Sequence, residues 1–240
     1  MRIKKIGLVF LSLVLVSSVS EWSGASNNRE NNSPLLIEKF KQTISENPSE
    51  LPATDLLQTA LLGYELLKKE QTINRPEVIT IIDFSLPSNQ ERLWVLDLVE
   101  AKVLYHCFVS HGRNSGEIMA ENFSNKPGSY ASSPGFFTTG ETYFGKHGFS
   151  LRLNGIETGI NDKARERAIV IHGADYVSPE FIEKNGRLGR SLGCPAVPEE
   201  LSREIIETIK DGTCLFVYAA KKSYLSKSPV INRIASFKKG

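Results

Sequence analysis

The stretch AIVIHG, residues 168–173, is a continuous apolar run that ends in His172 and Gly173. Its β-branched residues and short length favour a buried β-strand. A histidine at a strand end, followed by a flexible glycine, is well placed to face a cleft. A lone histidine can equally be a hydrogen-bonded structural residue. The stretch therefore predicts a strand by itself, and a site only together with a second reactive element.

The residues GRSLGCP, 189–195, supply that second element through Cys194. Glycines let the backbone approach a ligand closely, and successive amides in such a loop can form an anion-binding nest. A helix predicted to begin near Pro198 makes the surroundings electropositive, which lowers the pKa of a thiol. A nearby imidazole would complete a Cys–His pair for acyl transfer. The alternative is a buried, inert thiol, for which a loop rich in glycine and followed by proline is a poor location.

Short β-branched or apolar runs separated by turns surround these two elements. They predict a mainly β domain, sandwich- or barrel-like, from about Val78 to Ala219. The predicted strands are 78–82, 92–98, 102–109, 136–139, 149–153, 168–171 and 214–218. Predicted helices cover 179–184 and, after the cysteine loop, 198–210. Two more helices, between residues 35 and 67, are expected to pack outside the β domain.

Two further segments complete the predicted organisation. Residues 113–134 form a long loop rich in Gly, Asn, Ser and Pro, and long loops inside compact domains are usually functional. Residues 221–240 form a basic, Ser-rich tail that is expected to be loosely held. The chain then divides into residues 1–25, a linker and helical lead over 26–76, a catalytic domain over 77–220, and the tail.

The N-terminus predicts export. Arg2, Lys4 and Lys5 precede an apolar stretch over residues 6–19, and the small residues Ser23 and Ala25 follow it. This pattern is typical of a secretory signal peptide, with an uncleaved membrane anchor as the alternative. Either leads to a periplasmic or envelope location, with contact to the membrane only through this segment. The net charge of +2 argues against a nucleic-acid binder that relies on bulk charge.

The reactive elements together resemble a known signature. His172-Gly173 followed by Ser191-Leu192-Gly193-Cys194 is similar to the His-Gly…Ser-x-Gly-Cys pattern of the L,D-transpeptidase catalytic domain, the YkuD-like family. The longer string over residues 110–197 is most similar to the murein L,D-transpeptidase catalytic-domain branch. Residues 133–137, SPGFF, resemble a segment found upstream in many members. The resemblance covers roughly residues 78–219.

The resemblance implies a chemistry. Members attack the bond between a diamino acid and the D-alanine of a peptidoglycan stem tetrapeptide, form a thioester, and pass the acyl group to an amine of a second stem as a 3→3 cross-link. Water as acceptor would give an L,D-carboxypeptidase. Carried over to this chain, the resemblance makes Cys194 the nucleophile and His172 the base, with the carbonyl of Gly173 orienting the imidazole. Amides around Leu192, Gly193 and Cys194 would bind the oxyanion, and Ser191 would support the loop.

One departure leaves the substrate contacts open. Many members carry Arg two residues after the cysteine, where this chain has Ala196. Arg190 and Arg113 are candidates to bind a substrate carboxylate in its place, and His147 is a further candidate for the cleft. No cofactor is expected. His111 also lies on a predicted loop and could line the cleft. A zinc site from His111, His147 and His172 is conceivable, but no tight ligand pair such as H-x-x-x-H occurs, so no metal is predicted.

Two other functions stay open. A zinc-dependent cell-wall peptidase or amidase would be sensitive to chelators, and a wall-binding protein without turnover would bind stem peptides unchanged. Peptidoglycan stem peptides are the expected partner, and the sequence does not give the oligomeric state. Cys107 and Cys214 lie in apolar runs and are expected to be buried thiols, with a disulfide between them as the alternative.

Overall fold

The computed structural model describes residues 33–43 and 51–237 of the chain. The predicted signal or anchor and the Asn-rich linker after it lie outside the described residues. The helices are α1 Ser33–Thr43, α2 Thr54–Lys69, α3 Pro179–Asn185, α4 Glu199–Ile209, α5 Lys222–Leu225 and α6 Pro229–Phe237. The strands are β1 Val78–Asp83, β2 Leu93–Asp97, β3 Lys102–Cys107, β4 Gly135–Gly145, β5 Gly148–Gly155, β6 Val170–Ala174, β7 Ala196–Pro198 and β8 Cys214–Tyr218.

The strands form one sheet in the order β3-β2-β1-β8-β4-β5-β6-β7. Neighbours are antiparallel except for two parallel pairs, β1 with β8 and β6 with β7. The outer edges approach each other at an isolated bridge, where the Ser110 amide donates to the Ala196 carbonyl over 2.8 Å. The sheet is therefore a nearly closed barrel, and the prediction of a mainly β, barrel-like fold is confirmed.

The central strands alternate between two cores. In β1, Ile79 and Ile81 belong to one apolar cluster, whereas Val78 and Ile82 belong to the other. The first cluster lies between the sheet and helices α1, α2 and α6, and the second includes the inward face of α4. Because both faces are covered, every residue of β1 is buried. This explains why its sequence is a continuous apolar run rather than an alternating one.

Helix α2 packs against the sheet as predicted, and glycine permits the contact. A Cβ atom on Gly63 would lie 2.1 Å from the Phe136 ring, so no larger residue fits without displacing that ring. Phe136 in turn stacks on Phe216 of β8, with ring centroids 4.1 Å apart. Within the described residues, no helix is both long and apolar enough to cross a membrane.

The expectation of a loosely held tail is wrong for residues 222–237. They form α5 and α6, and the side chains of Tyr224, Val230 and Ile234 are buried in the first apolar cluster. Ser228 between the two helices donates a hydrogen bond to the buried carboxylate of Glu157. The segment is basic overall, but Val230 and Ile234 lie one turn apart on α6, and together with Tyr224 of α5 they hold it on α2 and the sheet.

Candidate active site

The prediction that the strand ends before His172 is wrong, because pairing with β5 and β7 extends β6 from Val170 to Ala174. His172 therefore lies in the middle of the strand and is almost fully buried, with 2% of its surface exposed. Its Nδ1 atom is 2.8 Å from the carbonyl oxygen of Gly173. A carbonyl can only accept, so Nδ1 carries the proton and Nε2 of the neutral ring is left as an acceptor. Burial lowers the pKa of His172, and the nearby His147 and Lys146 lower it further. The ring is thus neutral, with Nε2 as its acceptor atom.

A second imidazole covers His172. His147, in the turn between β4 and β5, stacks on it with ring centroids 4.4 Å apart and planes 20° apart. The same turn carries Lys146, whose charge acts on both His172 and Cys194. Burial lowers the pKa of His147, and Lys146 adds to this effect. The β4–β5 turn therefore brings one cation and one imidazole to the predicted catalytic pair.

Gly173 has a packing reason that the sequence did not reveal. A Cβ atom at this position would lie 2.6 Å from Oγ of Ser202 and 3.2 Å from Cα of Glu199, both on α4. The glycine therefore allows α4 to lie directly against β6. Since α4 follows the cysteine loop and β7, this close contact also fixes the distance between the two elements that carry the site.

The cysteine loop is braced by Ser191. Its hydroxyl donates to the Cys194 carbonyl over 2.5 Å and accepts from the Gly193 amide over 3.1 Å. The Gly193 amide is therefore already used, whereas the described residues supply no acceptor for the amides of Leu192 and Cys194. The oxyanion role of this loop stays a prediction. Gly193 has φ +121°, in the region that favours glycine.

The Cys194 thiol is half-buried and rests against the backbone that precedes β6. Its Sγ atom donates to the Ala168 carbonyl at 3.7 Å. Burial raises the pKa of Cys194, whereas the Val170 backbone, Arg167 and Lys146 oppose that rise. The expectation of a lowered thiol pKa is thus wrong in net direction, because the desolvation of the sulfur outweighs the nearby positive charges.

Strand pairing brings His172 and the cysteine loop to the same edge of the sheet. His172 is in register with Ala196, two residues after Cys194. Among the described residues the hydrogen bond of the thiol goes to Ala168, and none joins Cys194 to His172. A direct proton transfer between the two side chains therefore stays a prediction, which requires the thiol to leave Ala168.

The loop over residues 113–134 forms one wall beside the cysteine. Ser132 accepts from the Gly112 amide over 3.0 Å and donates to the Gly193 carbonyl over 3.1 Å. A Cβ atom on Gly112 would lie 2.6 Å from the Tyr130 carbonyl and 2.8 Å from Cα of Gly193. Three backbone segments thus meet in contact with one another directly beside Cys194.

The two arginines predicted to bind substrate are engaged elsewhere. Arg190 forms a 2.5 Å ion pair with Glu117 and also donates to the carbonyls of Arg113 and Gly116. The Arg113 guanidinium stacks on the Tyr130 ring, 4.4 Å from its centroid. Arg190 is therefore already paired with a carboxylate, while Arg113 stays exposed at the rim. Their roles toward substrate stay predictions.

Sequence reasoning missed Arg167, which joins the long loop to the cysteine. One terminal nitrogen donates to the Ser124 carbonyl and to Ser133, and the other to the Ala131 carbonyl, over 2.5 to 2.6 Å. Its charge favours the thiolate of Cys194. Its position in the sequence was the usable signal. Arg167 comes immediately before the AIVIHG strand, so it lies at the end of the sheet where that strand starts.

His111, which the sequence suggested for the cleft or a zinc site, is fully buried. Its Nδ1 atom is 2.8 Å from the guanidinium of Arg92, also fully buried, and therefore accepts from it. Burial, with Arg92 adding to it, lowers the pKa of His111 to about 4. Its carbonyl accepts from the Ser191 amide, so this pair supports the cysteine loop. Within the described residues, no group of three or more His, Cys, Asp or Glu side chains could hold a metal ion.

The other two cysteines are buried free thiols. Cys107 and Cys214 belong to different apolar clusters. Burial raises the pKa of Cys107 to about 12 and that of Cys214 still further. The disulfide alternative is absent from the structure, and Cys194 is the most accessible of the three thiols.

A nearly closed β-barrel with a cysteine loop at its seam and a histidine in the adjacent strand defines the class of this protein. The sequence profile of the L,D-transpeptidase catalytic domain matches residues 49–218. The chain therefore belongs to the L,D-transpeptidase catalytic domain family, and the resemblance drawn from the two motifs is confirmed. A search of curated proteins gives no match.

Solved structures similar to this chain are also L,D-transpeptidases. One from Mycobacterium smegmatis is 16% identical, with a TM-score of 0.37 over 60% of this chain and 59% of that one. One from Stackebrandtia nassauensis is 16% identical, with a TM-score of 0.37 over 78% of this chain and 77% of that one. L,D-transpeptidase 3 from Mycobacterium tuberculosis, in complex with a faropenem-derived adduct, is 12% identical, with a TM-score of 0.39 over 60% of each chain. This chain spans about three fifths of the first and third of these proteins.

Proposed function

We propose that this protein is an exported peptidoglycan L,D-transpeptidase that forms 3→3 cross-links through a thioester on Cys194. The observation that carries the proposal is the state of His172: its Nδ1 proton is held by the Gly173 carbonyl, and its strand is in register with the end of the cysteine loop. An imidazole fixed in this way presents Nε2 as a base beside a thiol. Family membership supplies the substrate class, the stem peptides of peptidoglycan.

The first half-reaction transfers an acyl group to sulfur. The Cys194 thiol leaves the Ala168 carbonyl and gives its proton to Nε2 of His172, while Sγ attacks the carbonyl carbon between the diamino acid and D-alanine. The amides of Leu192 and Cys194 bind the oxyanion that forms. When the tetrahedral species collapses, the carbon–nitrogen bond breaks, and the His172 imidazolium returns the proton to the departing D-alanine amine.

The second half-reaction resolves the thioester. An amine of a neighbouring stem gives a proton to His172 and attacks the acyl carbon, the carbon–sulfur bond breaks, and the sulfur recovers the proton as a thiol. Water in place of the amine would release a tripeptide, the L,D-carboxypeptidase reaction. The choice depends on whether the amine is positioned better than water. The loop over residues 113–134 and the β4–β5 turn would form the walls of that acceptor site.

The resting state explains how such a thiol is protected. Because burial raises the pKa of Cys194 and lowers that of His172, both groups are neutral before substrate binds. A neutral thiol is a poor target for oxidants and alkylating agents, since the thiolate is the reactive form. The proton transfer then accompanies the attack on substrate, when the developing oxyanion stabilises the charge-separated state.

The deciding experiment combines intact-mass analysis with product analysis. Wild-type protein incubated with disaccharide-tetrapeptide should gain the mass of the acyl group and release D-alanine, and dimeric product should accumulate at high acceptor concentration. Cys194→Ala should abolish all three signals, and Cys214→Ala, which removes a buried thiol in the apolar cluster that does not include Cys194, should keep them. Tripeptide and D-alanine alone would assign the carboxypeptidase instead. Turnover that survives Cys194→Ala but is lost with a chelator would assign a zinc enzyme, and unchanged binding of the stem without any product would assign a wall-binding protein.

A further inference from the structure

The turn between β4 and β5 is held close to His172 by the sheet itself. Gly145 pairs with Gly148, so Lys146 and His147 form the two-residue tip of the hairpin. Gly148 has φ +73°, and a glycine in this conformation is a common way to close such a turn. Ser150, two residues further on, is in register with His172 and donates to the Gly148 carbonyl over 3.2 Å. The tip is therefore anchored beside the histidine that it covers.

Stacking by His147 restrains the rotation of the His172 ring, which the hydrogen bond from Nδ1 leaves free. The bond from Nδ1 to Gly173 holds one edge of the ring, but rotation about that edge would still move Nε2. The His147 ring, 4.4 Å away and nearly parallel, closes one face against that rotation. Small displacements of a catalytic group cost large factors in rate, since the reacting atoms need a defined approach.

We propose that His147 is a positioning residue that holds the His172 ring in the orientation for proton transfer and makes the reaction sensitive to charge on the β4–β5 turn. This proposal rests on the proposed function. It gives His147 a role through His172 rather than through substrate, in contrast to the substrate-binding role that the sequence suggests. A residue that contacts substrate alters KM, whereas one that positions the base alters kcat.

The charges around the stack explain why the uncharged ring of His147, rather than a cation, covers His172. His172 must become an imidazolium when it accepts the thiol proton, and a neutral aromatic face tolerates that charge. The charged or titratable groups that act on the two rings are Lys146, which acts on both, and His147, which acts on His172. Behind them, Arg167 and the Cys194 thiol face the start of β6. Because burial and Lys146 keep His147 neutral near pH 7, the second positive charge forms only at lower pH.

The test compares His147→Phe with His147→Ala. Phenylalanine keeps a flat ring against His172, and alanine removes it. For His147→Ala we expect kcat for acylation to fall about tenfold with KM unchanged, and for His147→Phe we expect kcat to stay within about threefold of wild type. In both variants the pKa of His172 should rise, since the coulombic effect of His147 is lost, so the acid limb of the rate should move to higher pH. The matched control is His106→Phe, which keeps the stack of that residue on Trp94, 4.8 Å between centroids, away from the site.

NMR gives a second readout of the His147 variants that does not depend on enzyme turnover. The ring proton resonances of His172, followed by NMR against pH, should shift in His147→Ala because the ring current of the stacked imidazole disappears. Unchanged resonances and an unchanged kcat in His147→Ala would overturn the proposal. A raised KM with unchanged kcat would assign His147 to substrate instead and would also overturn it. If wild-type protein forms no thioester at all, the proposed function fails, while the NMR comparison still decides whether the His147 ring stacks on His172 in solution.

Discussion

The two sides of the candidate site are built in different ways. We call the side formed by residues 112–134, residues 189–195 and Arg167 the fixed wall, and the turn Gly145–Gly148 the hairpin wall. The fixed wall is a dense network in which serine hydroxyls and one arginine satisfy backbone groups next to Cys194. The hairpin wall touches the site through one ring stack, and the neighbouring Phe144 is 75% exposed.

This difference assigns separate tasks to the two sides. The nucleophile and the oxyanion amides need positions that are accurate to a fraction of an ångström, and a hydrogen-bonded backbone network supplies this accuracy. The hairpin wall instead presents side chains, Lys146 and His147, whose effect is electrostatic and orienting. Substitutions in the fixed wall should therefore affect both folding and chemistry, and substitutions in the hairpin wall should affect chemistry alone.

The largest effect is expected from Gly112→Ala in the fixed wall. The new methyl group would lie 2.6 Å and 2.8 Å from backbone atoms of Tyr130 and Gly193, neither of which can move like the end of a side chain. Overpacking of this kind costs about 1–3 kcal/mol, and the displaced cysteine loop should lower acylation about a hundredfold. Thermal unfolding and acylation rates measure the two effects. Gly128→Ala in the same loop meets nothing within 4 Å, but its φ of +71° disfavours alanine, so it should cost about 1–2 kcal/mol of stability and keep the acylation rate.

A smaller effect is expected from Arg167→Ala. The carbonyls of Ser124 and Ala131 lose their donor, which should lower the free energy of unfolding by about 3 kcal/mol. Because Arg167 lowers the pKa of Cys194, its removal should raise that pKa further. Alkylation of Cys194, followed by peptide mapping against pH, should therefore slow about tenfold at pH 8, with the curve moved to higher pH.

Arg165→Ala is the matched control for that experiment. Arg165 lies two residues away and pairs with Glu141 on the exposed surface, so its loss should change stability by less than about 1 kcal/mol and leave the labelling of Cys194 unchanged. In every variant Cys194 should react before Cys107 and Cys214, which are buried. Equal, slow labelling of all three thiols would argue against a reactive role for Cys194.

The smallest effect is expected from Lys146→Glu in the hairpin wall. Lys146 lowers the pKa of both Cys194 and His172, so a negative charge in its place should raise both. The lysine is exposed and its effect is screened, so alkylation of Cys194 should slow only about threefold, without loss of thermal stability. About 0.5 M salt should reduce the difference. Lys163→Glu changes another exposed lysine, which is not among the groups that act on Cys194, so it should leave the rate of Cys194 alkylation unchanged.

The sequence predicted the elements whose residue pattern is decisive. Unbroken apolar or β-branched runs predicted strands β1 and β8 almost to the residue, because nearly all of their residues are buried. The same reasoning missed β7, which is three residues long and ends in Pro198, and the second half of β4, which contains Gly140 and Gly145. These strands exist because neighbouring strands offer hydrogen bonds, and a short segment, or one interrupted by glycine, does not encode its neighbours.

The residues of the candidate site also divide into those that a local sequence pattern reveals and those that it does not. His172 and Cys194 were found because a strand end and a glycine-rich loop are local patterns that also match a family signature. Arg167 was missed, and Arg190 and Arg113 were chosen instead, because arginines in one sequence look alike until their partners are known. His111 was expected in the cleft, but the guanidinium of Arg92 holds it in the interior. The direction of the Cys194 pKa likewise depends on burial, which no local pattern reports.

The attachment of the last helices bears on how this protein can be produced for study. A recombinant fragment that ended at residue 218, where the family match stops, would remove Ser228 from the buried carboxylate of Glu157. It would also strip Tyr224, Val230 and Ile234 from the apolar side of α2. Glu157 accepts from the Phe136 amide at the start of β4, so the damage would reach the strand that carries the hairpin wall. Expression trials should therefore retain the chain through residue 237 and treat the C-terminal helices as part of the catalytic unit.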